Sequence, residues 1–91
     1  MRFEYDPAKN AKNIAERGLS FDEVARFNFE SAFYVADDRK DYGERRIRAL
    51  GRVRQRLHSL VFVETADGIR VISFRKANQR EVKRYEKATQ S

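Results

Sequence analysis

Cations crowd ten residues near the end of the chain, Arg75, Lys76, Arg80 and Arg84 among them. They straddle a change of pattern, from the apolar alternation of Ile72-Ser73-Phe74 to a helical spacing beyond Asn78. An apolar strand running into a basic helix start can hold a phosphate backbone, with side chains and free helix amides acting together. The plain alternative is a solvated helix end. Which of the two applies depends on where the side chains point, and the surrounding elements set that.

The rest of the chain narrows the chemistry. There is one histidine, so no pair of histidines can share acid and base roles. There is no cysteine, which removes disulfides and thiolate metal sites. No histidine pair at helical spacing and no glycine-rich phosphate loop occurs, so neither a metal nor a nucleotide cofactor is expected. The loose acidic group Asp37, Asp38 and Asp41 fits a solvated loop or a basic partner better than a magnesium site.

The bulk numbers point the same way. A chain of 91 residues makes one small domain, residues 1–91. The 41% of hydrophobic residues suffices for one core, and the 37% of charged residues demands an ionic surface. The net charge is +6, and arginine outnumbers lysine, which suits forked contacts to phosphate. RNA or DNA is therefore the natural class of partner. No apolar run reaches the roughly 20 residues of a membrane span, and the N-terminus lacks a signal peptide's apolar stretch. A cytoplasmic protein without membrane contact is expected.

The pattern predicts seven elements. Asp6-Pro7 starts a helix with Ala8, Ala11, Ile14 and Ala15 on one face, and Gly18 ends it. Ser20-Phe21-Asp22-Glu23 reads as a capping box for a second short helix. Strands follow at 31–36, 44–51, 57–64 and 69–75, and a last helix covers about 78–88. Short turns between consecutive strands make a four-stranded antiparallel meander with the helices on one side, an α+β fold. Asp67-Gly68 is the strongest hairpin signal and predicts a two-residue type I′ turn, pairing Ala66 with Ile69.

That register predicts two faces. Val61, Val63, Ile72 and Phe74 form the core floor, joined by Ile47 and Ala49. The open face carries His58, Leu60, Phe62 and Glu64 with Ile69, Val71, Ser73 and Arg75. Arg46 and Arg48 then join Arg75. On the last helix, Arg80, Lys83, Arg84 and Lys87 share one side, while Val82 and Tyr85 lie opposite, so Tyr85 is expected to pack on the sheet.

These pieces also carry a resemblance. Phe3-Glu4-Tyr5-Asp6 with Asn13, Arg17-Gly18 and Ser20-Phe21-Asp22-Glu23-Val24-Ala25 resembles the opening of BrnT-type toxins. Asp37-Asp38-Arg39 followed by Asp41-Tyr42-Gly43-Glu44-Arg45-Arg46 is similar too, as is Arg70-Val71-Ile72-Ser73-Phe74-Arg75-Lys76-Ala77-Asn78 with Arg80-Glu81 and Tyr85-Glu86. Two positions depart from the family pattern: Tyr5 stands where tryptophan is usual, and Arg17 where histidine is frequent. The resemblance implies a RelE-like fold and the toxin of a bacterial type II toxin–antitoxin pair. It implies metal-independent RNA cleavage that halts translation. The implied partner is a BrnA-type ribbon-helix-helix antitoxin, through which operator DNA is bound indirectly.

Such cleavage needs the 2′-OH deprotonated, the phosphate charge stabilised and the leaving oxygen protonated. Arg75 and Arg80 are the candidates for stabilising the scissile phosphate. Arg46, Arg48, Lys76 and Arg84 are candidates for holding the RNA backbone. Tyr85 and Glu44 are the candidates for proton transfer, with Glu81 and His58 behind them. Each has a plain reading beside it: Arg75 paired with an acid, Tyr85 as a core aromatic, Glu44 in a salt bridge, Glu81 in an intrahelical pair. Two other functions remain open, a non-catalytic nucleic-acid-binding module and a toxin acting on a protein such as DNA gyrase.

Overall fold

Five strands pair into one mixed sheet in the computed structural model, which describes residues 1–90. In chain order they are β1 (Arg2–Glu4), β2 (Phe33–Asp37), β3 (Arg46–Val53), β4 (Arg56–Glu64) and β5 (Gly68–Lys76). Helix α1 (Pro7–Arg17) and a 3-10 helix (Phe21–Arg26) lie between β1 and β2, and helix α2 (Gln79–Thr89) follows β5. The strand order is β1-β5-β4-β3-β2. Strands β2 to β5 form the expected antiparallel meander. The α+β class holds, but the four-stranded, wholly antiparallel sheet does not: β1 adds an edge strand parallel to β5. Three residues are too few for a period-two pattern to announce a strand. The second of the two expected helices is a 3-10 helix, not an α-helix.

Helix α1 begins and ends as its sequence predicts. The Asp6 carboxylate accepts a bond from the Ala8 N–H at 2.9 Å, Pro7 takes the first turn, and Gly18 closes the helix at φ 64°. Its buried side is a correction. Ala8, Ala11, Ile14 and Ala15 are exposed, and the half-buried residues are Asn10 and Asn13. The Asn13 amide donates to the carbonyls of Leu19 and Phe74, and Asn10 accepts from the Phe21 N–H. The helix is thus tied down by hydrogen bonds rather than by an apolar stripe. Ser20 caps the 3-10 helix, but Glu23 does not return the bond; its carboxylate binds Arg26 and Arg54 instead.

The β4–β5 hairpin corrects the predicted register. Ile69 pairs with Glu64, not Ala66, and a bulge between Val61 and Phe62 leaves Ile72 without a cross-strand partner. Gly68 does not supply a positive φ. A Cβ there would lie 1.8 Å from the Arg2 carbonyl oxygen, so the glycine admits β1 against β5.

The floor of the main core changes accordingly. Leu60, Phe62, Ile69, Val71 and Phe74 line one face with Ala49 and Val53, under Phe21 and Val24 of the 3-10 helix. Ile47 and Ala49 join this floor as expected, whereas Val61 faces the other way. The opposite face carries a second, smaller core of Leu50, Leu57, Ala77 and Tyr85, with Phe33 and Val82 beside it. Helix α2 therefore covers part of the face expected to be open, and helices lie on both sides of the sheet.

Candidate nucleic-acid interface

The face under α2 collects the arginines. Cross-strand pairing places three rows on it: Phe33-Leu50-Ser59-Arg75, then Val35-Arg48-Val61-Ser73, then Asp37 opposite Arg46 and Val63 opposite Arg70. Arg46, Arg48 and Arg75 share this face, as the alternation within their strands predicts. His58 and Leu60 do not share it with Arg75, because Arg75 pairs with Ser59 and His58 pairs with Lys76 on the other side.

Most of the charges here are already paired. The Arg75 guanidinium donates to both oxygens of Glu81, at 2.8 and 2.9 Å. Glu81 also accepts from the Asn78 N–H, and Asn78 accepts from the Glu81 N–H, so the pair closes a capping box at the start of α2. The bond from Arg75 is the main cause that holds the Glu81 carboxyl below its ordinary range, and the charge of Arg48 adds to it. Asp37, buried at the end of β2, is held by Arg39 at 2.7 and 2.9 Å. Arg39 lowers its pKa most, and Arg48 contributes again. Glu44 accepts from Arg70 at 2.6 Å and Arg46 at 3.2 Å; these bonds, Arg70 first, hold it ionised. Arg46 in turn stacks on the Tyr42 ring, 3.9 Å from its centre.

Arg48, like Arg84, stands in no ion pair among the described residues. Its charge acts on Asp37 and Glu81, yet its Nε is buried and has no hydrogen-bond partner. A cavity of about 230 Å³ opens beside it, lined by Val35, Asp37, Asp38, Arg39, Arg48 and Arg84. Arg84 reaches over it from α2, with its guanidinium 5.6 Å above the Phe33 ring. Three guanidinium groups, those of Arg39, Arg48 and Arg84, thus outnumber the two carboxylates of Asp37 and Asp38 in its lining. A buried donor without a partner costs about 1–3 kcal/mol. An anion seated in this cavity would balance the surplus charge.

The other expected residues fall apart from this cluster. Lys76 is exposed at the end of β5, on the His58 side. Arg80 is exposed in the first turn of α2. Tyr85 packs on the sheet as expected; its hydroxyl donates to the Ser31 carbonyl at 3.0 Å, and Arg52 lies over its ring. Sequence reasoning missed Asp37, Arg39 and Arg70 as members of the site. It also missed the signal Asn78-x-x-Glu81, a readable capping box that fixes the Arg75 partner. Among the described residues, no group of three or more His, Asp or Glu is arranged to hold a metal ion. No helix among them is long and apolar enough to cross a membrane.

Residues 5–81 match a family model described as the ribonuclease toxin, BrnT, of type II toxin-antitoxin systems. No curated protein matches the chain.

Proposed function

The chain belongs to the BrnT family of type II ribonuclease toxins, and on that premise we propose that it cleaves RNA on the arginine face without a metal ion, halting translation in the cytoplasm. The observation that carries this reading is the cavity of about 230 Å³ beside the half-buried Arg48, where Arg39, Arg48 and Arg84 bring three positive charges against the two carboxylates of Asp37 and Asp38.

In this mechanism the RNA backbone crosses the face from Arg46 to Arg84. Arg48 and Arg84 take the scissile phosphate and stabilise the charge that builds up when the 2′-OH attacks. Arg75 contributes its positive charge from a position fixed by Glu81, and Arg80 extends the cationic rail along α2. Glu44 is the assigned proton acceptor, because Arg70 and Arg46 keep it ionised. As the 2′-oxygen bonds to phosphorus and its proton passes to Glu44, the bond from phosphorus to the 5′-oxygen breaks and solvent water protonates the leaving oxygen; Tyr85 supplies that proton only by giving up its bond to Ser31. The proposed inhibitor is a BrnA-type ribbon-helix-helix antitoxin, which would link the complex to operator DNA.

The test is RNA cleavage by the purified protein in excess EDTA. Cleavage is expected to persist, and Arg48→Ala is expected to lose at least about 100-fold in rate, the worth of one preorganised charge-stabilising group. Its circular dichroism should stay that of the parent, and its melting temperature should not fall, because the substitution removes the unpartnered Nε. Cleavage that needs added Mg²⁺, or an Arg48→Ala variant at full rate, refutes the proposal. Intact RNA together with inhibited DNA supercoiling would point to a protein target instead.

A further inference from the structure

A second cleft lies on the other side of the sheet, at the turn between β3 and β4. Its volume is about 770 Å³, and Glu23, Arg54, Arg56, His58 and Lys76 line it with Leu19. His58 is the only histidine in the chain and is 4% exposed. Its ring stacks on Phe74, with the ring centres 5.1 Å apart. Its Nδ1 lies 2.8 Å from the Arg56 carbonyl. A carbonyl only accepts, so Nδ1 carries the proton. In the neutral ring Nε2 is then a lone pair, and it has no partner among the described residues.

The neutral form is the favoured one. Burial holds the His58 pKa below its ordinary value, and the charges of Arg56 and Lys76 push the same way; the Arg56 carbonyl and Glu23 oppose them. Cations line the same cleft. Arg56 and Lys76 are exposed, and Lys76 pairs across the ladder with His58. The carboxylate of Glu23 is occupied by Arg54 at 2.9 Å and Arg26 at 3.3 Å. Arg54 itself sits at φ 57° in the turn, a backbone state that non-glycine residues seldom adopt.

A ligand here must bring negative charge for the cations and a hydrogen-bond donor for Nε2. The RNA backbone carries both side by side, as a phosphate and a ribose 2′-OH, whereas DNA carries only the phosphate. We infer that this cleft is a second RNA contact, which seats one ribose-phosphate unit with the phosphate on Lys76 and Arg56 and the 2′-OH donating to His58 Nε2. It rests on RNA being the ligand, as proposed above, but not on where the chain is cut.

The single histidine makes the test direct, since its imidazole nitrogens give an unambiguous NMR signal. The probes are adenosine 3′-monophosphate and its 2′-deoxy counterpart, added at a pH of about 7.5, where the ring is neutral. The ribonucleotide is expected to move the Nε2 resonance while Nδ1 stays put. The deoxynucleotide should bind about fivefold more weakly, the worth of one neutral hydrogen bond. Lys76→Ala and Arg56→Ala, both at exposed positions, should each weaken binding about tenfold. A silent His58 at saturating ribonucleotide, equal affinity for the two nucleotides, or indifference to Lys76→Ala overturns the inference. If that happens while cleavage still depends on Arg48, only the cleft reading fails. If the protein neither binds nor cleaves RNA, the function proposed above fails as well.

Discussion

Replacing Glu81 tests the joint between sheet and helix. Glu81→Ala removes three hydrogen bonds at once: two from the Arg75 guanidinium and one from the Asn78 N–H. A charge-assisted pair of this kind is worth about 1.5–3 kcal/mol, and half of a capping box about 1 kcal/mol more. Arg75, with 28% of its side chain exposed, recovers some solvation when released, which offsets part of the loss. A net cost of about 2–3 kcal/mol follows, or about 10–20 °C in melting temperature for a domain of this size. A double-mutant cycle with Arg75→Ala isolates the pair, and its coupling energy should reach about 1.5 kcal/mol. The sign with pH is also set. The folded pKa of Glu81 lies below its ordinary value of 4.5, so its contribution is full above that value and is lost as the pH falls through the folded one. The gap in urea midpoint between the parent and Glu81→Ala must therefore close in acid. A coupling energy below about 0.3 kcal/mol, or a gap that is constant with pH, would refute the view that Glu81 anchors α2 through Arg75.

Other substitutions address the remaining parts of the fold and site. Gly68→Ala drives a Cβ into the Arg2 backbone and should release β1; hydrogen exchange at Phe3 and Glu4 should then speed up while α2 keeps its protection. Asp37→Asn should cost about 1 kcal/mol at neutral pH, discounted because Arg39 is largely exposed, and nothing once acid has protonated the parent; paired denaturation curves measure this. Tyr85→Phe removes the bond to Ser31 and should lower stability by about 1 kcal/mol with RNA cleavage intact; a rate loss beyond about tenfold would instead put the hydroxyl in the chemistry.

The errors of the sequence reading and its successes share one physical cause. Strand β4 is apolar on both sides: Leu60 and Phe62 face the main core, Leu57 and Val61 the other side. Helices cover both faces, so alternation could not orient this strand, and a one-residue slip turned it over. The glycine that should have fixed the register serves a different contact, the approach of β1, which comes from the far end of the chain. The arginines needed no register. Within β3, Arg46 and Arg48 alternate with Ile47 and Ala49; within β5, Arg75 follows Phe74. A guanidinium cannot enter an apolar core unpaired, so each strand orients its own cations whatever its neighbour does. Orientation was therefore legible, and pairing only in part. Arg70 reaches Glu44 across 26 residues, which nothing local announces, while the local signals for the other pairs, the Asn78-x-x-Glu81 box beside Arg75 and the Asp37-x-Arg39 spacing, went unread. Pairing matters to the candidate site, since it ties the charge of Arg75 to Glu81 on α2 and leaves the Nε of Arg48 without a partner. The alternation places Arg75 on this face with Arg46 and Arg48; in the folded chain Arg75 is already paired with Glu81.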